Sequence, residues 1–376
     1  MVAGAQTAVA ALGVEAELAD LATPYALIDE RLMRMNIADM QAAVEGIGAS
    51  LRPHFKTHRT TQIARLQEDA GAIGLTVATA PQLAAVGREI GCPVLASSLL
   101  QVDAALAPVL REASAEGNVA FSVDSKRSVE LLRSALGPES TADVMIEVEA
   151  GCMRSGVSGR ECGDAARAAA RLGFRVAGLF SYPGQSYVPG QAREASEQER
   201  AALELGASEL RRAGFDPEHV SAGSTPTMRY ARAGVATEYR PGTYVFGDRQ
   251  QLALGAIERA QIALTVVATV VGVHDGRLVL DAGGKALGRD APRWLEGYGQ
   301  LADSSGTVIT RLYDHHSVIE SYSGQPVAVG DRLRVLPNNA NSVMALVRSA
   351  WLSGDGRFGA ELTPQADWDR PAGVER

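Results

Sequence analysis

The stretch Arg52-Pro53-His54-Phe55-Lys56-Thr57-His58 places one lysine between two histidines. Strand geometry sends alternate side chains to the same face, so an extended segment here aligns His54, Lys56 and His58 in one row. On a solvated surface strand such a row is inert. At the mouth of a closed barrel it does chemistry, because desolvation and neighbouring cations lower the lysine's pKa and free its amine as a nucleophile. A nucleophilic lysine in that setting points to a Schiff base, with a carbonyl substrate or with pyridoxal phosphate.

A phosphate site decides between those two. The run "SAGSTPT" (221–227) offers one pattern for it. Gly223 lets the backbone approach a ligand, Ser224 and Thr225 carry hydroxyls, and the amides at the start of a following helix point outward. A helix cap with a turn is the other use of the same residues. Arg154, in "GCMRSGVS", is either a surface arginine or a partner for a pyridine nitrogen or a carboxylate. "RPGTYVFGD" (240–248) carries Arg240, Tyr244 and Asp248 and reads equally well as a hairpin or edge strand.

The elements that position these residues alternate along the chain. Eight β-rich runs appear: "YALID" (25–29), "SLRPHFK" (50–56), "GLTVAT" (74–79), "CPVLASSL" (92–99), "VAFSVD" (119–124), "DVMIEVE" (143–149), "RVAGLFSY" (175–182) and "HVSAGS" (219–224). Stretches of helical period lie between them. In "SKRSVELLRSALG", Val129, Leu132 and Leu136 form one apolar stripe. This alternation predicts a (β/α)8 barrel over residues 25–250, with its active site where the strands end. A doubly wound open sheet is the alternative, but no GxGxxG follows the first strand. Beyond residue 255 the pattern turns strand-rich, which predicts a mostly-β domain from residues 255–376, joined by residues 1–24.

Composition narrows the function classes. Of 376 residues, 46% are hydrophobic and 21% charged, the proportions of an ordinary globular chain. A net charge of -8 argues against nucleic acid or an anionic membrane as partner. Cys92, Cys152 and Cys162 form no CxxC, which points to a reducing compartment rather than a disulfide framework. The first residues lack a basic segment before an apolar one, so no signal peptide or membrane span is expected and the cytoplasm is the expected location.

Taken together, these motifs resemble the fold-type III pyridoxal-phosphate enzymes, and most closely the D-threonine aldolase / D-serine dehydratase / 3-hydroxy-D-aspartate aldolase family. "RPHFKTH", "GLTVAT", "IEVEAGCMRSGV", "YPGQSY", "SAGSTPT", "YRPGTYVFGD" and "DAGGKAL" match in order, from residue 23 to residue 346. The resemblance implies an alanine racemase-like barrel plus β-domain, working as a homodimer. It implies that Lys56 carries pyridoxal 5'-phosphate, that Arg154 faces the pyridine nitrogen, and that Tyr182 lies beside the cofactor. It further implies a phosphate held by Gly223, Ser224 and Thr225, with Thr79 and Tyr244 completing the cofactor site. His54, His58 and His316 are the candidate bases.

One departure bears on the chemistry. The family's PNHxC or PNHxD metal pair reads "PNNAN" here, with Asn339 and Asn341 at the ligand positions. Amide carbonyls are poor zinc ligands. The expectation is therefore an aldolase or dehydratase acting on a small D-amino acid or β-hydroxy-D-amino acid, with weak or no metal dependence. A racemase and a non-catalytic cofactor carrier are the alternatives.

Overall fold

A computed structural model of the chain describes residues 21–97, 106–115, 118–304, 306–354 and 357–362. Residues 1–20 and 363–376, assigned above to the β-rich domain, and the end of the "CPVLASSL" run lie outside the described residues. The chain forms two units. One takes the described residues within Met1–Asn36, Thr57–Thr60 and Thr243–Ala366, and the other those within Ile37–Lys56 and Thr61–Gly242.

The run "YALID" forms strand β1 (Tyr25–Asp29), but it is not the first barrel strand. It pairs antiparallel with β10 (Leu264–His274), with Tyr25 opposite Val267, and parallel with β16 (Ala350–Gly354). An apolar five-residue run specifies a buried strand but not which sheet buries it. The barrel's eight strands are β2 (Ser50–Leu51), β3 (Leu75–Val77), β4 (Val94–Ala96), β5 (Val119–Val123), β6 (Asp143–Val148), β7 (Arg175–Ser181), β8 (His219–Ala222) and β9 (Glu238–Tyr239). All pair in parallel, in the order β2-β9-β8-β7-β6-β5-β4-β3. The eighth, β9, is two residues long and begins on a glutamate, so it has no apolar run to betray it.

The sheet curls back on itself through irregular backbone. Past β2 the chain is no longer a regular strand, yet Ile73 N–H donates to Leu51 O, Thr76 N–H to Pro53 O and Phe55 N–H to Thr76 O, all at 2.8–2.9 Å. His54 bridges Thr76 in parallel. These bonds join β2 to β3 and close the barrel.

Helices cover the outer face. The helix Lys126–Leu136 starts at a capping box between Ser125 and Ser128 and buries Val129, Leu132, Ala135 and Leu136, the predicted stripe. The long crossover helix Ala192–Arg212 carries Glu194 in its first turn and Arg211 and Arg212 in its last, matching the helix dipole. A Cβ added at Gly206 of this helix would touch Val148 and Leu179, which therefore face outward. Their neighbours Glu147 and Phe180 face the interior, because successive strand residues point to opposite sides. Phe180 packs there with Leu95, Met145 and Ala177.

Among the described residues, the other unit holds a nine-stranded sheet built around β10, which pairs with β1, with β11 (Arg277–Leu280) and with β15 (Arg332–Pro337). Strands β12 (Gly299–Leu301), β13 (Arg311–Leu312), β14 (Ser317–Ile319) and β17 (Arg357–Leu362) complete it. Thr23 Oγ1 lies 2.6 Å from Thr269 Oγ1, 246 positions along the chain, and fastens the entry to β1. Among the described residues, no helix is long and apolar enough to cross a membrane.

Candidate active site

Lys56 lies in a turn, not in a strand. Residues 55–58 form that turn after the bridge at His54. The expected single row of His54, Lys56 and His58 is therefore corrected: the proline at 53 and the turn break the alternation. His54 Nδ1 accepts from the Lys56 backbone N–H at 3.4 Å. His58 is fully buried, with Nδ1 3.1 Å from Thr60 O. Both rings are turned to local backbone.

The Lys56 amine stands over the Tyr182 ring, 5.5 Å from its centroid, and no carboxylate lies within ion-pair distance of it among the described residues. Burial, then the charges of Arg154 and Arg240, lower its pKa to about 8. A second cation reaches the same ring: the Arg154 guanidinium lies over Tyr182 at 4.8 Å from its centroid. Its phenol is raised by burial. Arg154 itself is 55% exposed and reaches to within 3.5 Å of the buried Glu147 carboxylate.

Arg240 follows β9 and is buried. It donates to Ser181 O, lies over the Phe180 ring at 5.2 Å, and leaves its Nε without a partner among the described residues. Glu147 accepts from Ser155 Oγ at 2.7 Å, while its Oε2 is buried and unpartnered among the described residues. Burial raises its pKa. From sequence, Arg240 falls in a candidate hairpin or edge strand and Glu147 is not singled out. A glutamate inside the apolar run "DVMIEVE" was the available signal for the latter.

The "SAGSTPT" turn follows β8 as expected and opens the short 3₁₀ segment Thr225–Tyr230. Gly223 has φ +89°, and a Cβ there would lie 2.8 Å from the Tyr239 ring, so only glycine fits. Its amides are not all turned outward. Gly223 N–H donates to both oxygens of Glu199 at 3.0 and 3.1 Å, and Ser224 N–H donates to Thr227 Oγ1 at 2.9 Å. Ser224 Oγ is 2.9 Å from Ser186 Oγ. Thr225 is buried. Thr79 caps the helix Ala80–Glu89, its side chain accepting from Gln82 N–H.

The remaining candidates belong to the other unit. Tyr244 is buried in the 3₁₀ turn Thr243–Val245. His316 is exposed, in the turn where Tyr313 N–H donates to His316 O. Asn339 caps the helix Ala340–Leu346, its Oδ1 accepting from Ser342 N–H at 3.1 Å. Asn341 Oδ1 is buried and unpartnered among the described residues. No group of three or more His, Cys, Asp or Glu suited to a metal ion occurs among the described residues.

Comparison with known proteins places this arrangement. The family described as "Alanine racemase, N-terminal domain" matches residues 28–250, and the one described as "Putative serine dehydratase domain" matches residues 263–352. The D-threo-3-hydroxyaspartate dehydratase of Delftia sp. (strain HT23) is 33% identical over 360 residues, covering 86% of this chain and 92% of that one. The chain belongs to this family. Its solved relatives agree: the structure of that Delftia dehydratase superposes with a TM-score of 0.84 at 31% identity, over 92% of this chain and 98% of that one. A D-threonine aldolase from Arthrobacter sp. is 28% identical over 349 residues, 88% of each chain. The alanine racemase of Bacillus anthracis, at 14% identity and a TM-score of 0.66 over 92% of this chain and 98% of that one, shares the fold.

The residues around Lys56 suit a pyridoxal phosphate. They supply an amine without a carboxylate partner, an aromatic face, two guanidinium groups and buried polar atoms still lacking partners. The residues at the family's metal positions do not suit a divalent ion. One amide oxygen is spent on a helix cap, neither residue is a thiolate, imidazole or carboxylate, and His316 sits on an exposed turn.

Proposed function

We propose that this chain is a pyridoxal-phosphate-dependent lyase that acts on a small β-hydroxy-D-amino acid by dehydration or aldol cleavage. The activities named for its relatives support the reaction class. The observation that carries the reading is the Lys56 amine, partly desolvated, flanked by Arg154 and Arg240, with a pKa lowered to about 8. When bound, the cofactor supplies the electron sink that a carbanion at the substrate's Cα requires.

This chain's own residues do the rest. Lys56 Nζ holds the cofactor and moves a proton at the substrate's Cα. Tyr182 would lie beside the bound cofactor, and Arg154 and Arg240, which stand by the Tyr182 and Phe180 rings, would supply positive charge there. Gly223, Ser224 and Thr225 shape the phosphate pocket, with Thr79 and Tyr244 assigned to its surroundings. The β-hydroxyl proton is assigned to one of the three histidine candidates, His54, His58 or His316; a positioned base of this kind contributes roughly 10²- to 10⁴-fold. Asn339 and Asn341 support weak or no metal dependence. We further infer a homodimer in the cytoplasm, the first from the family's architecture and the second from three free cysteines. A light-scattering mass of one chain at full activity refutes the dimer.

The test is a panel of D- and L-amino acids in deuterium oxide, with Cα exchange and products followed by NMR. Dehydration or cleavage of β-hydroxy-D-amino acids is expected. Interconversion of enantiomers without Cβ products identifies a racemase instead.

A further inference from the structure

Glu199 lies outside every sequence motif, in the polar run "SEQERAAL" of the crossover helix Ala192–Arg212. It is nevertheless buried, and it joins two strand ends from behind the barrel wall. Oε1 accepts from Ser181 Oγ at 2.7 Å, and both oxygens accept from Gly223 N–H. Ser181 ends β7 and faces outward to this helix; the next residue, Tyr182, turns inward under the Lys56 amine. Gly223 opens the turn that carries Ser224 and Thr225. The carboxyl group thus holds the turn directly through the Gly223 backbone, and it reaches the end of β7 only through the Ser181 hydroxyl.

We propose that Glu199 is a positioning residue for the cofactor phosphate, acting through Gly223. This rests on the cofactor reading above. A buried carboxylate directly behind a phosphate-binding turn is repelled by a dianion, so it must take up a proton as the phosphate arrives. The groups facing it set how readily it does so. Arg240 approaches from the barrel side, and Tyr239 from β9. On the outer side a cavity of about 370 Å³ is lined by Glu199 together with a second carboxylate, Glu197, with Tyr230, and with Arg193, Arg200, Arg229 and Arg232. Burial wins over the Ser181 and Gly223 bonds and the charge of Arg240, and Glu199 is pushed up to about 7. Protonated, it still accepts from Gly223 through its carbonyl oxygen, so the turn keeps its shape while the charge is gone. Phosphate binding is accordingly linked to proton uptake at this carboxyl, and affinity falls as pH rises through and above neutrality.

The experiment compares wild type, Glu199→Gln and Glu199→Ala, each stripped of cofactor, in absorbance titrations with pyridoxal phosphate and with pyridoxal. In Glu199→Ala the phosphate ester is expected to bind at least about tenfold more weakly, while pyridoxal changes by less than about twofold. Glu199→Gln keeps one acceptor oxygen and no charge. Relative to wild type it should bind pyridoxal phosphate equally well at about pH 6 and more tightly at about pH 8.5. Equal losses for both aldehydes in Glu199→Ala, or parallel pH profiles of wild type and Glu199→Gln, overturn the proposal. Wild type that binds neither aldehyde overturns the cofactor reading and this inference together; wild type that binds both, with variants unaffected, overturns this inference alone.

Discussion

The two ends of the barrel hold buried cations in opposite ways. Where the strands begin, Arg52 is clamped by Glu238 through two bonds of 2.8 and 2.9 Å. His219 Nδ1 lies 3.4 Å from the same carboxylate, and Arg175 ties Asp143 to Glu218 at the rim. A cavity of about 240 Å³ there is lined by first residues of strands, Val94, Val119, Asp143, Arg175 and His219 among them. Where the strands end, Lys56 and Arg240 face one another's charge, and the acid among them, Glu147, keeps one oxygen unbonded among the described residues. Burial alone would raise the Glu238 carboxyl, yet the His219 and Arg52 bonds hold it well below the usual range. Burial and like charge push Lys56 down instead. Desolvated charge that is matched becomes structure. Left unmatched, it remains available to a ligand of the opposite sign.

Four measurements break or sharpen that contrast. The largest effect is expected at the unmatched end. Lys56→Ala should lower turnover by on the order of 10⁴-fold, since one amine is both cofactor anchor and proton carrier. Thermal unfolding of the cofactor-free protein should hardly change, and a large drop in its stability would assign Lys56 to the scaffold. At the matched end the order reverses. Glu238→Ala strands the Arg52 guanidinium and should cost about 3–5 kcal/mol in a urea titration, with turnover per folded molecule retained. Because the Glu238 carboxyl is depressed, its contribution is complete above the ordinary carboxylate range and disappears as pH falls through and below it. An acid limb of the stability curve unchanged by Glu238→Gln would contradict this.

The third effect is smaller. Capture of an aldehyde by Lys56 in cofactor-free protein should speed up about tenfold per pH unit and level off near pH 8, where the amine is free. Arg154→Gln should move that midpoint upward, modestly because Arg154 is half-exposed; a downward move would mean that Arg154 does not act through charge. The smallest effect concerns metal. Chelator should change turnover by less than about twofold, as Asn339 and Asn341 offer only amide hydrogen bonds. Strong inhibition reversed by a divalent ion would show a working metal centre built on other groups.

Sequence made the unmatched end more visible than the matched one. "RPHFKTH" and "SAGSTPT" pair unusual side chains with turn residues, so Lys56 and Gly223 could be singled out before any fold was known, whereas Tyr182 came only from the family resemblance. Arg52 and Glu238 are single charged residues 186 positions apart, and only closure of the sheet brings them together. Alternating strands and helices announced the barrel, but its strand count came out right for a wrong reason: β1 was included and β9 was missed. Both errors have one cause. Apolar runs report burial and not partners, while a two-residue strand held by its neighbours needs no apolar run at all. Glu199 was invisible because a glutamate in a polar helix reads as solvated until the helix face is known.

The placement of β1 has a consequence for how the chain is made. Synthesis delivers this strand before any of the barrel and β10 after all of it, so the strand must wait for partners encoded well over two hundred positions later. Long-range pairings of this kind slow folding. Until β10 is made, "YALID" stays an open apolar edge. A chain that stalls or is cut before Leu264 would carry an orphan strand seeking any sheet that will take it.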